Sequence, residues 1–120
     1  MKRAIEATQK EFESSCGRTP EYLAWHRLFK KELTIFILNQ GGKDVQIGKP
    51  NHFDLSGFFT AHDGQIWYVS VSDLRGFKDS MLLRAAKSYK DYSGGRNNDI
   101  PLTHGEEEFA DGFKHFVFHQ

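Results

Sequence analysis

Arg84, Lys87, Lys90, Tyr92 and Arg96 crowd into one short stretch, together with Gly94, Gly95 and Asn97. These groups are suited to holding an anion. Lysine and arginine neutralise phosphate, and a tyrosine ring stacks on a base. Successive glycine amides form an anion-binding concavity, and asparagine both donates and accepts hydrogen bonds. The plainer reading of the same residues is a helix C-terminus, where Gly-Gly stops the helix and Lys or Arg complements the negative end of its dipole.

Carboxylates offer a second chemistry. A two-residue turn at Asp63-Gly64 pairs residues whose numbers sum to 127, which sets Asp54 opposite Asp73 at the open end of a hairpin. Like charges directly opposite repel, so a cation, Arg75, Lys78 or a helix terminus has to compensate. Such a pair could bind a metal for a hydrolase or nuclease, with a Lys or His as base. Asp73 is explained first as a helix cap. No Asp or Glu stands two residues before a Lys, so the acidic-x-Lys half of a common nuclease core is missing.

His115 and His119 are four apart, a spacing that can place two metal ligands on one helix face. No Glu adjoins His115 in the HExxH manner, and His119 falls next to the last residue, where a helix frays. His62 beside Asp63 is explained by turn chemistry. Cys16 is the single cysteine, which excludes an intramolecular disulfide and a cysteine zinc cluster and fits a reducing compartment. Neither a phosphate-binding GxxxxGK[ST] nor a GxGxxG nor a GxSxG elbow occurs. No metal and no cofactor is expected.

The chain around these residues has 120 positions, suited to one domain with a single modest core. Its 16 basic and 16 acidic residues cancel, which counts against strong non-specific binding to a polyanion. The charge is unevenly spread: residues 72–97 hold six basic and three acidic residues, and 98–120 one basic and five acidic. Eleven Phe, four Tyr and two Trp supply large buried areas in a small chain. The opening MKRAIEATQKEFE has no apolar core of a secretory signal, and the longest apolar run, 35–38, is too short for a membrane span. A cytoplasmic protein without membrane contact is expected.

Periodicity predicts the elements that must position the candidate residues. A charged helix is expected over 2–15, with Ile5 and Phe12 facing in. Thr19 caps a second helix with Pro20 in its first turn; Tyr22, Trp25, Phe29, Leu33 and Phe36 form its stripe, and 39–42 end it. Val45 and Ile47 alternate as in a strand, and 53–61 and 65–72 flank an Asp-Gly turn. With that turn, Phe59, Ala61, Ile66 and Tyr68 share one face, and Phe58, Thr60, Trp67 and Val69 the other. Both faces are apolar, so helices or a partner should cover both.

The spacing of Met81, Leu82, Ala85 and Tyr89 predicts a helix over 78–92, from which Arg84 and Lys87 project outward, with Met81-Leu82-Leu83 as the opening of a strand the alternative. A short strand at 100–102 and a helix opened by the capping box 103–106 complete the chain, with Phe109, Phe113, Phe116 and Val117 inward. The result is a single α+β domain over 1–120: an antiparallel hairpin or meander sheet with three to four helices.

Three functions compete on these terms. One is a non-enzymatic binding module for a nucleic acid or nucleotide, held by Arg84, Lys87, Lys90, Tyr92, Gly94, Gly95, Arg96 and Asn97. Another is a small inhibitor or adaptor of the mobile-element kind that blocks a host complex, meeting a protein through Tyr and Trp anchors and the acidic stretch 106–111. The third is the metal-dependent hydrolase built on Asp54 and Asp73.

Overall fold

A computed structural model describes residues 1–9, 19–48, 55–71, 80–93 and 95–118. Three helices, α1 (Lys2–Gln9), α2 (Pro20–Asn39) and α3 (Glu106–Phe118), accompany five strands. The strands are β1 (Lys43–Ile47), β2 (Leu55–Thr60), β3 (Ile66–Val71), β4 (Ser80–Ala86) and β5 (Asn98–Pro101). They form one antiparallel sheet in chain order, a five-stranded meander. This is the α+β architecture that the alternation of periods predicts.

The best-signalled helix is α2. The Thr19 hydroxyl accepts from the Tyr22 amide at 3.2 Å, and Pro20 fills the first turn, where no amide is needed. At the other end the Gly42 amide donates to the Ile37 carbonyl at 2.9 Å and the Gly41 amide to the Leu38 carbonyl at 3.0 Å. That reciprocal pair closes the last turn. The start of α3 is displaced from the expected box. Gly105 stands at the cap, its carbonyl accepting from Phe109, and Glu108 reaches back to accept from the Gly105 amide at 3.1 Å. Thr103 and Glu106 lie two positions too early for those roles.

All three helices lie on one face of the sheet. There Tyr22, Trp25, Phe29, Leu33 and Ile37 of α2 and Phe109, Phe113 and Val117 of α3 meet Leu55, Phe59, Trp67, Val69, Val71, Met81, Leu83 and Ile100. Phe36 joins α2 to α3 edge-on, 5.3 Å from Phe109 and 5.0 Å from Phe113. Helix α1 is fastened to α2 by polar bonds through the core: Trp25 Nε1 donates to Thr8 Oγ1 at 2.8 Å, and Thr8 donates on to the Ala4 carbonyl at 2.7 Å.

The hairpin departs from expectation by one residue. Leu55 pairs with Val71, Phe59 with Trp67 and Thr60 with Ile66, so partner numbers sum to 126. The loop has three residues, His62-Asp63-Gly64, with the Ala61 amide donating to the Gln65 carbonyl at 2.8 Å. Gly64 takes the left-handed conformation at φ 91°, and Asp63 accepts from the Gln65 amide at 3.0 Å. This is a type I turn closed by a glycine bulge, the next most common hairpin joint after the two-residue turn. A slip of one exchanges faces across the pair. Phe59 and Ala61 therefore lie with Trp67 and Val69 under the helices, and Phe58 and Thr60 with Ile66 and Tyr68 on the opposite face.

The other correction concerns the predicted helix over 78–92. Residues 80–86 are strand β4, bonded to β3 on one side and β5 on the other. Met81 and Leu83 point into the helix-covered core, while Leu82, Arg84 and Ala86 line the opposite face. The spacing of 81, 82, 85 and 89 mimics a helix because this strand is apolar on both faces.

Candidate functional site

Between β4 and β5 the chain does not cross to the helix side. Residues 87–93 and 95–97 fold over the sheet face that the helices leave open, forming a flap. Beneath it lie Phe58 and Tyr68, a cross-strand pair with ring centroids 5.2 Å apart, both buried. Tyr89 and Tyr92 come down from the flap onto them. Tyr89 sits 5.7 Å from Phe58; Tyr92 stands edge-on at 5.3 Å from Phe58 and 5.8 Å from Tyr68.

The flap is pinned at three places. The Tyr89 hydroxyl donates to the Asp44 carbonyl at 2.8 Å and lies 2.6 Å from Thr60 Oγ1. Its one proton goes to Asp44, so Thr60 supplies the proton of the second bond. Asp44 holds φ 53° within the register shift of β1 against β2, a conformation Asp tolerates. Asp91 organises the middle, accepting from the amides of Lys87 at 2.9 Å and Ser93 at 3.1 Å.

Arg84 holds the third place. Its guanidinium lies 4.8 Å over the Tyr68 ring, donates to the Tyr92 carbonyl at 2.8 Å and reaches Asn97 Oδ1 at 3.4 Å. The flap returns at Gly95, which has φ 75° and lies so close to β4 that a Cβ there would sit 2.5 Å from the Ala85 carbonyl oxygen.

Of the residues the sequence picks out for an anion, Arg84 is therefore not an outward cation. It is half-buried and ties the flap to the sheet. Asn97 gives its side-chain oxygen to the same strut. Gly95 serves the close approach to β4, and Gly94 lies outside the described residues. Lys87, Lys90 and Arg96 are exposed, and Tyr92 keeps 63% of its surface in solvent although its ring rests on Phe58 and Tyr68. The flap thus carries three exposed cations and one supported, open ring. The sequence offers Thr60, Tyr68 and Tyr89 as face and stripe positions and not as site residues; with Phe58, they signal the site only once the register is known.

The other candidates fare differently. Asp54, Asp73, Arg75, Lys78, Cys16 and His119 lie outside the described residues, and with them the expected pairing of Asp54 with Asp73. His62 stacks on Phe118 at 4.9 Å. Among the described residues, no three of His, Cys, Asp and Glu converge as metal ligands. Trp25 and Trp67 are buried and so are not surface anchors. Glu106, Glu107 and Glu108 are exposed and, with Lys2, Ile5 and Glu6, border a groove of about 410 Å³ beside α1. No described helix is long and apolar enough to cross a membrane. No protein-family model, curated protein or solved structure matches the chain.

Proposed function

We propose that the protein is a non-enzymatic binding module whose flap receives a single nucleic-acid strand or a nucleotide. One observation carries this reading: Tyr92 is 63% exposed yet backed by Phe58 and Tyr68, with exposed Lys87, Lys90 and Arg96 in the same flap. A ring held by other rings while most of its surface stays in solvent offers area for a base without losing much side-chain entropy on binding. Asp91, the one acidic residue of segment 87–97, accepts from flap amides, and the segment carries a net positive charge. Duplex recognition is the weaker fit, because base stacking needs unpaired bases and the overall charge is zero.

Fluorescence anisotropy with a labelled oligothymidylate across a salt series tests this. Three phosphate contacts on a single strand give a slope of log K against log salt of about −2. Tyr92→Ala should weaken binding by roughly tenfold. Replacing Lys87, Lys90 and Arg96 together by Ala should flatten the slope towards zero. Salt-independent binding, or none, removes the proposal.

A further inference from the structure

The solvent side of α2 carries a second apolar stripe, separate from the one in the core. Ala24, Leu28, Lys31, Ile35 and Leu38 succeed one another at intervals of four, three, four and three residues. That alternation keeps side chains on one seam facing a neighbouring helix. Ile35 is 48% and Leu38 52% exposed, Leu28 is half-buried, and Ala24 and Lys31 are exposed. The opposite side of α2, with Tyr22, Trp25, Phe29, Leu33 and Ile37, is buried. An isolated exposed Leu is ordinary, but apolar residues in heptad order along the outer face of an already packed helix form a seam that no described residue fills.

We infer that this seam docks an acidic amphipathic helix of another protein. The charge on and beside it selects that chemistry. Lys31 stands at the centre of the stripe, and Arg27 is exposed along its flank, one position before Leu28. The exposed acid of α2, Glu21, is in its first turn, and Glu32 already accepts from the Ala4 amide at 2.8 Å. A glutamate on the incoming helix meets Lys31, and a flanking acid meets Arg27. A second copy of this chain fits poorly. In a two-fold contact of α2 on α2, parallel or antiparallel about the stripe's centre, Lys31 faces Lys31. A lipid surface fits less well too, because the stripe is one side chain wide and interrupted by that lysine, whereas interfacial helices bury a broad apolar face.

The test uses the full chain and two labelled synthetic peptides of heptad sequence, both with Ile and Leu at the seam. One carries Glu at the flanking positions and the other Lys. The Glu peptide should bind, and the double variant Ile35→Asp, Leu38→Asp should weaken it by about tenfold or more. Lys31→Glu should also weaken the Glu peptide and strengthen the Lys peptide. All three positions are exposed, so the melting temperature should stay put and separate lost docking from lost folding. Failure of the Glu peptide to bind, equal binding of both peptides, or indifference to these variants overturns the inference. So does an Ile35-dependent dimer in sedimentation equilibrium, or binding to phosphatidylserine vesicles in place of the peptide.

Discussion

Arg84 shows how a residue type selected for one task performs another. A lone cation on a loop would serve phosphate equally well as Arg or Lys, but this guanidinium uses its planar shape. One edge donates to the Tyr92 carbonyl, another reaches Asn97, and the plane covers Tyr68. An ammonium cannot span those partners at once. Arg84→Lys should therefore destabilise the fold by roughly 1–2 kcal/mol despite keeping the charge, combining a lost charged hydrogen bond with a weaker cation–π contact. Urea denaturation measures the loss. If Arg84 acted only as a ligand-facing cation, the Lys variant would keep wild-type stability. The sequence could show that a cation stood here. It could not show which way the cation faced, because direction depends on whether 80–86 repeats every two residues or every 3.6.

At the scale of elements, legibility followed how local the signal was. Helix α2 was readable because its cap, first-turn proline and terminal glycines all lie within the segment they define. β4 was not, since Leu82 and Ala86 pack under the flap while Met81 and Leu83 pack under the helices, which erases the alternation that marks a one-sided strand. The hairpin was readable as a hairpin, but its loop length, and hence which ring faces the flap, turned on one residue. The flap itself depends on contacts between 84–97 and positions 44, 58, 60 and 68, far apart in sequence, so no local pattern announces it.

Two glycines test these joints. Gly64 has a left-handed φ and open space around it, so Gly64→Ala should cost about 1–2 kcal/mol from backbone conformation alone. Gly95 shares that kind of φ but also presses on β4. Gly95→Ala should cost clearly more than Gly64→Ala and speed amide exchange through 87–97, as read by hydrogen–deuterium mass spectrometry. Equal costs at the two positions would mean that the flap is not seated on β4.

For the molecule as a whole, the decisive asymmetry is that one face of the sheet is covered by helices and the other by a loop. Helix cover buries a continuous cluster reaching from Ala4 to Val117, whereas the flap covers a small one of Phe58, Tyr68 and Ala86. Protection of backbone amides should divide accordingly. Central strand β3, paired on both sides, should exchange only through global unfolding, and the flap amides bonded to Asp91 should exchange through a cheaper local opening. Phe58 and Phe59 separate the two layers because they are adjacent in sequence and face opposite ways.

Phe59→Ala should lower global stability by about 3–5 kcal/mol, since the packed helices cannot close the void. Phe58→Ala should cost less, roughly 2 kcal/mol, because the flap can settle inward, and its larger effect should be on flap exchange. Thermal melts combined with native-state hydrogen exchange on both variants measure this. Matching losses in both experiments would mean that the two faces form one cooperative unit. The expected split would instead make the flap a layer that opens while the fold stays intact, exposing Phe58 and Tyr68 alongside Tyr92 and enlarging the surface available for stacking.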